Sequence, residues 1–208
     1  MKKVWPAEEC ALVEALRRGD EEAFARLVGE HHASLRRVAR LYVASAAIVD
    51  EVVQDTWLGV IQGLWAFEGR SSLKTWIFRI LVNRARTRAV RESRGAAELL
   101  AGPDHPLLLE DPSNLNHVAP ASLDSSPERC LLTKELRERL GAVIGTLPAN
   151  LRTVLWLRDV EGWSSQEVCN ALAIQETNQR VLLHRARSRV RAALEPYLEG
   201  AREAARRG

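Results

Sequence analysis

The stretch SSQEVCNALAIQETNQRVLLHRARSRV, residues 164–190, decides the fold of the second half of this chain. Ser164 and Glu167 have the S-x-x-E spacing of a capping box, which predicts that a short helix begins there. A turn of three or four residues follows, and then a longer helix over about residues 177–194, which we expect Pro196 to end. Two helices joined by so short a turn have the pattern of a helix-turn-helix.

The longer of these helices separates apolar from basic side chains. One face steps by three or four residues and must pack on other helices: Leu183, Ala186, Val190 and Ala193. Residues 177–194 hold five Arg and no Asp or Glu. Asn, Gln and Arg near a helix N-terminus can contact adenine and guanine edges in the major groove, and Arg further along can meet phosphates. The pattern favours a DNA-reading helix, with a solvated basic helix as the alternative.

Helical spacing of apolar residues also runs through the first half of the chain, and no segment shows the alternation of a strand. Residues 95–127 differ, because they are rich in Gly, Pro, Ser, Asp and Asn and have no helical period. We therefore predict an all-α protein with two small helical domains, residues 1–94 and 128–208. A flexible linker, residues 95–127, joins them, and the second domain contains the helix-turn-helix.

The 208 residues carry a net charge of only +3, but the charge is unevenly distributed. Residues 1–95 hold 16 basic and 12 acidic side chains (+4), residues 96–133 hold 1 and 6 (−5), and residues 134–208 hold 13 and 9 (+4). Two basic blocks therefore flank an acidic middle segment, and this asymmetry is more informative about binding partners than the net charge is.

Several classes of function find no support in the sequence. Cys10, Cys130 and Cys169 form no CxxC pair, so neither a zinc site nor a disulfide framework is expected, and a reducing compartment such as the cytoplasm is indicated. We find no glycine-rich phosphate loop, nucleophile elbow or HExxH motif, so no catalytic residue, metal or cofactor is predicted. No apolar run is long enough for membrane insertion, and the first ten residues lack the pattern of a signal peptide.

A second basic segment, residues 70–94, is rich in Arg and interleaved with aromatic residues. Rings that stack on bases beside Arg that meets phosphates are typical of single-stranded DNA binding. The spacing of Trp76 and its apolar neighbours is equally that of a buried core, so both interpretations stand.

In a segment before this one, Glu51 and Asp55 lie one helical turn apart, near Gln54 and Trp57. Without a third ligand they favour a protein contact or a solvated helix face over catalysis.

Five segments together resemble the extracytoplasmic-function (ECF) group of bacterial RNA polymerase sigma factors. They are LVEALRRGDEEAFARLVGEHHASLRRVARLY (12–42), VVQDTW (52–57), FEGRSSLKTWIFRILVN (67–83), LPANLRTVLWLRDVEGWSSQEVCNALAI (147–174) and LHRARSRVR (183–191). Any one of them could arise by chance, but all of them in order, with a variable linker between, are specific. The start of the last helix departs from the family: residues 177–180 are Thr-Asn-Gln-Arg where a Gly-Thr-Val-type run is common, which leaves the −35 sequence open.

The resemblance implies a promoter-specificity subunit that is not an enzyme, with core RNA polymerase, promoter DNA and an anti-sigma factor as partners. The implied polymerase-docking residues are Glu51, Gln54, Asp55, Trp57 and Ile61. The implied contacts to the unpaired −10 element are Phe67, Ser71, Ser72, Lys74, Trp76, Arg79, Asn83, Arg84 and Arg86. The implied contacts to the −35 duplex are Arg152, Ser164, Ser165, Asn178, Gln179, Arg180, His184 and Arg185.

Two other classes of function remain open. A stand-alone helix-turn-helix regulator would explain residues 134–194 but would leave the Glu51–Trp57 segment without a role. A helical sigma-like adaptor would act only through protein contacts. Specific DNA binding by the isolated chain would favour the first, and transcription with core polymerase would exclude both.

Overall fold

The computed structural model describes residues 6–99 and 139–207. The helices are α1 (Ala7–Arg17), α2 (Glu21–Ala39), α3 (Ala46–Gly63), α4 (Leu73–Leu99), α5 (139–146), α6 (Ala149–Leu155), α7 (Ser165–Leu172) and α8 (Glu176–Arg207). A 3-10 turn, Leu64–Ala66, continues α3, and a π-helical turn, Trp156–Val160, continues α6. These residues contain no strand, and the prediction of an all-α protein is confirmed.

The described helices form two compact units. The first holds α1 to α4 together with α7, and the second holds α5, α6 and α8. The predicted linker, residues 95–127, lies outside the described residues from residue 100 onward. Its first five residues belong to α4, which extends to Leu99, although the sequence pattern predicts that the linker begins at residue 95.

The helix boundaries in the first unit follow from local capping chemistry. Gly19 has a φ of +79°, which ends α1, and the Asp20 carboxylate then accepts a hydrogen bond from the Ala23 N–H at 3.0 Å. Ser72 caps α4 in the same way, because its Oγ accepts from the Thr75 N–H at 3.2 Å.

The core of the first unit lies among α2, α3 and α4. It is filled by aliphatic side chains and Phe78, and the fully buried members include Leu35, Val38, Val49, Val53, Ile77, Leu81 and Val82. Trp163, which precedes α7, packs edge-on against Phe78 with ring centroids 4.8 Å apart. This core holds α3 and α4 side by side, so residues on their outward faces keep a fixed spacing.

The core of the second unit is built on α6, where Leu151 and Val154 are buried, and on the π-helical turn after it, where Leu157 is buried. Arg152 is also buried, and its Nη1 donates to the Gly145 carbonyl at 3.0 Å. Because that hydrogen bond ties α6 to the end of α5, Arg152 supports the fold from within the unit.

Helix α8 continues through Pro196, contrary to the prediction that this proline ends it. A proline inside a helix removes one hydrogen bond and costs about 3 kcal/mol, but other contacts can offset this. Beyond the proline, the Tyr197 ring lies 4.6 Å from the Arg139 guanidinium of the second unit. That tertiary cation–π contact favours continuation of the helix, and it depends on Arg139 of α5, which lies far from Pro196 in the sequence.

His31 of α2 is a buried titratable group in the first unit. Its ring lies edge-on to Phe78, with centroids 6.5 Å apart, and its Nε2 is 3.9 Å from the Glu30 carboxylate. Burial lowers the pKa of His31 below its usual 6.5, and the charge of Lys74 acts in the same direction, while Glu30 acts against them. The folded protein therefore binds this proton less readily than the unfolded chain does.

We expect acidification to destabilise the first unit through His31. Since the folded pKa lies below the unfolded value of 6.5, stability is highest above pH 6.5 and falls as the pH drops from 6.5 toward the folded pKa. Urea unfolding at pH 8 and pH 5.5 measures this loss. His31→Gln should lose less stability between the two pH values than the unsubstituted chain. His32→Gln, at an exposed neighbouring position, should retain the full loss, and equal losses in all three proteins would contradict this assignment.

Candidate functional site

Helix α3 and the turn after it expose a line of large apolar side chains. Leu58, Ile61 and Trp65 are 54%, 53% and 73% exposed, although residues of this size are usually buried. They are three and four residues apart, so they share one face of the helix. We call these three residues the α3 stripe. A line of exposed apolar side chains with an aromatic member is typical of a protein-binding surface.

Acidic and amide side chains lie along the same helix N-terminal to the α3 stripe. Glu51, Gln54 and Asp55 are all exposed, as the sequence predicts. The two carboxylates pair with arginines of α4: Glu51 lies 2.9 Å from Arg88 and Asp55 lies 3.8 Å from Arg84. These partly exposed pairs leave the carboxylates open to solvent, so another molecule can still reach them.

Trp57, which the resemblance places with the docking residues, lies on the opposite side of α3. It is only 8% exposed and packs edge-on against Phe24, with ring centroids 5.8 Å apart. The prediction that Trp57 contributes directly to the exposed surface is wrong, because α2 covers this side of α3. Leu58 and Trp65 supply the exposed apolar side chains of this surface in its place. The sequence analysis missed both, although their spacing from Ile61 is regular.

The segment between the 3-10 turn and α4, residues 67–72, forms a short connecting loop. We call it the capture loop, after the role that the resemblance gives it. Phe67 is buried and packs on Trp76 of α4, with ring centroids 4.9 Å apart, so Phe67 anchors the loop and does not project from it. Trp76 can approach this closely because Gly63 has no side chain: a Cβ there would lie 3.1 Å from the indole.

Polar side chains of the capture loop point in different directions. Arg70 pairs with Glu68, its Nε donating at 2.7 Å to the carboxylate, and both side chains are exposed. The Ser72 hydroxyl caps α4 and contacts the Thr75 hydroxyl at 2.8 Å. The Ser71 hydroxyl donates to the Ser72 carbonyl at 3.3 Å and remains half-buried. Gly69 has a φ of +69°, which only glycine adopts readily, so the loop requires it.

Helix α4 presents a separate polar and basic face to solvent. Arg79, Asn83 and Arg86 are exposed and spaced by four and three residues, so they form one line, which we call the α4 face. Arg84 lies elsewhere on the helix: its guanidinium extends over Gly59 of α3, where any Cβ would come within 2.6 Å of it. Lys74 is half-buried, and its ammonium lies 4.6 Å from the centre of the Trp163 ring.

The two serines before and at the start of α7 have structural contacts of their own. Ser164 and Glu167 form the predicted capping box: the Ser164 hydroxyl accepts from the Glu167 N–H at 3.2 Å, and the Glu167 carboxylate accepts from the Ser164 N–H at 2.8 Å. Ser165 is half-buried. Ala173 adopts the left-handed conformation at φ +55° and ends α7, which gives the short turn expected before α8.

Helix α8 presents its own polar surface, which we call the α8 face: Asn178, Arg180, Val181, His184 and Arg185, all of them exposed. Val181 is 48% exposed, an apolar side chain among donors and acceptors, and the sequence analysis did not select it. Arg187 is held by Asp159, with Nε–Oδ2 at 2.9 Å and Nη2–Oδ1 at 2.5 Å. The hydrogen bond to Asp159 raises the pKa of Arg187. Because two of its guanidinium nitrogens contact Asp159, Arg187 is less available to another molecule than the arginines of the α8 face.

Two residues that the sequence analysis assigned to DNA contact are buried. Arg152 and Gln179 are each only 2% exposed, although both were placed among the −35 contacts. The prediction of direct contact is wrong for both side chains in this structure. Arg152 cannot make the predicted contact because its guanidinium donates to the Gly145 carbonyl inside the unit. Gln179 cannot make it because its side chain lies on the packed side of α8, next to the exposed Arg180.

Among the described residues, no group of three His, Cys, Asp or Glu side chains could hold a metal ion. No helix in the described ranges is long and apolar enough to cross a membrane. The α3 stripe, the α4 face and the α8 face present exposed apolar area, charged side chains and hydrogen-bonding groups, which suit binding.

Two family matches cover more than half of the chain. Residues 27–95 match Sigma-70 region 2, and residues 137–190 match Sigma-70 region 4. The first match spans α2 to α4, with the α3 stripe, the capture loop and the α4 face. The second spans α5 to α7 and the part of α8 that carries the α8 face.

Curated relatives match along nearly their whole length. RNA polymerase sigma-H factor of Pseudomonas aeruginosa is 30% identical over 190 residues, which is 91% of this chain and 95% of that protein. ECF RNA polymerase sigma-E factor of Escherichia coli strain K12 is 28% identical over 187 residues, 90% of this chain and 94% of that protein.

Two solved structures share the fold. CnrH in complex with the cytosolic domain of CnrY has a TM-score of 0.62 at 21% identity, over 90% of this chain and 97% of that one. The sigma factor RpoE in complex with the anti-sigma factor NepR from Bartonella quintana has a TM-score of 0.61 at 19% identity, over 83% and 96%. The structures support the fold alone, whereas the two region matches and the near-full-length relatives show that this chain belongs to the sigma-70 family, in the ECF group of RNA polymerase sigma factors.

Proposed function

We propose that this chain binds core RNA polymerase and directs it to promoters, reading the −35 element as duplex and the −10 element as an unpaired strand. As a sigma factor it is a DNA-binding initiation factor and not an enzyme. The observation that carries the proposal is in the first unit, where the exposed α3 stripe and the basic α4 face lie on two packed helices.

The α3 stripe is the proposed docking surface for the polymerase. Its apolar side chains would be buried in the complex, and each large side chain removed from water contributes about 1.5–3 kcal/mol. Glu51, Gln54 and Asp55 would surround this apolar centre with polar contacts, the arrangement of stable interfaces in general. Basic residues on the partner would complement the two carboxylates.

The α4 face and the capture loop are the proposed contacts for the −10 strand. Arg79 and Arg86 can pair with phosphates, and Asn83 between them can donate and accept hydrogen bonds from a base. Extruding a base costs a few kcal/mol, which such contacts must offset. Since Phe67 and Trp76 stack on each other, we propose that they build the loop and that its polar atoms contact DNA.

The α8 face is the proposed reader of the −35 duplex. Arg180 and Arg185 are suited to the O6 and N7 atoms of guanine, and Asn178 to adenine. His184 adds a further donor or acceptor. Residues 1–94 would then act on core polymerase and the −10 element, residues 128–208 on the −35 element, and residues 95–127 would connect them.

Val181 is predicted to contact the methyl group of a thymine, because it is the exposed apolar residue on the α8 face. One buried methyl group contributes about 0.8 kcal/mol, or about fourfold in affinity. In a −35 duplex bound by the holoenzyme, replacing that thymine by deoxyuridine should weaken binding about fourfold. Val181→Ser should remove this preference, and thymines elsewhere serve as the control. A preference that persists in Val181→Ser would refute the contact.

Each surface alone offers few contacts, so we expect the isolated chain to bind DNA weakly. Attachment to polymerase holds both DNA-reading units near one promoter and raises their effective concentration.

We further propose that the chain works in the cytoplasm, where it meets polymerase and DNA. An anti-sigma protein is a further proposed partner, supported by the anti-sigma complexes among similar structures. It would cover the exposed α3 stripe.

Footprinting with and without core polymerase tests this proposal against a stand-alone regulator. We expect protection of both −35 and −10 sequences with polymerase, and little specific protection by the isolated chain at the same concentration. Tight, specific protection by the chain alone would favour the stand-alone helix-turn-helix regulator and would contradict the proposal.

A further inference from the structure

Helix α1 lies outside the Sigma-70 region 2 match, which begins at residue 27, yet it contacts both ends of the capture loop. At the start of the loop, Arg17 Nη2 donates to the Phe67 carbonyl at 2.8 Å. Nε and Nη2 of the same side chain donate to the Leu64 carbonyl, each at 3.3 Å. At the end of the loop, the Glu9 carboxylate accepts a hydrogen bond from the Leu73 N–H.

Both contacts reach backbone groups at the ends of helices. The Leu64 carbonyl also accepts from the Phe67 N–H at 3.2 Å, and Arg17 adds a charged donor to it. The last carbonyls of a helix carry partial negative charge and suit a cation, which Arg17 supplies after α3. The first N–H groups carry partial positive charge and suit a carboxylate, which Glu9 supplies at α4. Glu9 and Arg17 are about 12 Å apart along one helix. Since α1 is rigid over that distance, it sets the separation of the loop's two ends.

Arg17 also lies between two proposed functional surfaces. Its guanidinium is 5.9 Å from the centre of the Trp65 ring, the most exposed member of the α3 stripe. Trp65 is still 73% exposed with Arg17 beside it, so we expect docking through this ring not to depend on the arginine.

We propose that Arg17 and Glu9 are positioning residues, and that α1 acts as a brace that holds the capture loop in the conformation that accepts an unpaired −10 base. This inference rests on the proposed function. Gly69 makes the loop conformationally permissive, so without the brace the loop would sample other conformations. Loss of the brace should therefore reduce base discrimination in the −10 element and leave polymerase docking intact.

The test uses holoenzyme reconstituted from the full chain and core polymerase, on a promoter that the unsubstituted holoenzyme selects from genomic DNA. Forked probes carry an unpaired −10 strand in which each base in turn is replaced by an abasic site. The ratio of dissociation constants for abasic and intact probes measures discrimination. We expect a ratio of at least about tenfold at one position for the unsubstituted chain, and about twofold there for Arg17→Gln and Glu9→Ala.

Matched controls come from the neighbouring residues of the same helix. Arg18→Gln and Glu8→Ala remove the same charges at exposed positions and should keep the full ratio. Core affinity and −35 duplex affinity should stay within about twofold in all variants. Arg17→Lys reaches one carbonyl at a time and should give an intermediate ratio.

Several results would overturn the brace. If Arg17→Gln or Arg17→Lys keeps the full ratio of dissociation constants, the conformation of the loop does not depend on Arg17. Equal weakening of intact and abasic probes, or a parallel loss of core affinity, shows a merely structural role. If the unsubstituted holoenzyme discriminates at no −10 position, the proposed function itself fails, and the brace fails with it.

Discussion

Ile61→Asp is expected to weaken binding of the chain to core RNA polymerase by about 100-fold. Ile61 is at the centre of the α3 stripe, between Leu58 and Trp65. The substitution removes an apolar contact and places a charge where the interface excludes water, and central residues of this kind commonly contribute 2 kcal/mol or more. A loss of about 2.8 kcal/mol corresponds to 100-fold. Titration of labelled chain with core polymerase measures it.

Two controls separate an effect of Ile61→Asp on docking from an effect on folding. Ile61 is half exposed in the chain alone, so its replacement should change the free energy of unfolding by about 0.5 kcal/mol or less. Ala33→Asp adds the same charge at an exposed position of α2 and should bind core polymerase like the unsubstituted chain. Unchanged affinity in Ile61→Asp would place the docking surface elsewhere.

Arg180→Ala and Gln179→Ala are expected to have opposite consequences, although the two residues are adjacent. Arg180 is exposed on the α8 face, so its loss should reduce holoenzyme binding to the −35 duplex by about 10-fold to 100-fold and relax the preference at one base pair. Gln179 is buried, so its loss should destabilise the second unit by about 2–3 kcal/mol and leave base preference unchanged.

Binding to a set of duplexes with single base-pair changes, together with urea unfolding, measures both effects. Arg187→Ala is the matched control, since it removes the same charge from α8 but its guanidinium already pairs with Asp159. We expect it to affect base preference little. A relaxed preference in Gln179→Ala, or an unchanged preference in Arg180→Ala, would contradict this account of the α8 face.

Local chemistry explains which features could be predicted from the sequence. The Asp20 and Ser72 caps and the capping box at Ser164 involve atoms only a few residues apart, so the sequence contains the whole interaction. Arg79, Asn83 and Arg86 were selected only through the family resemblance, together with Arg84, and the structure places the first three on one exposed line of α4.

The predictions that were wrong or missing concern residues whose burial or contacts depend on distant parts of the chain. Trp57 and Leu58 are adjacent and both apolar, and only the packing of α2 on α3 decides which of them is buried. Arg152 and Gln179 are polar residues with internal contacts, whereas sequence rules assign polar residues to the surface. The role of Arg17 depends on carbonyls that lie 47 and 50 residues further along the chain.

The central claim is that this chain supplies promoter address and strand opening to core RNA polymerase. Run-off transcription tests it most directly, with purified chain, core polymerase and a library of genomic fragments as template. We predict discrete transcripts that begin at defined positions, require the chain, and disappear with Ile61→Asp. Core polymerase that starts no promoter-specific transcript on any fragment in the presence of the chain would contradict the account.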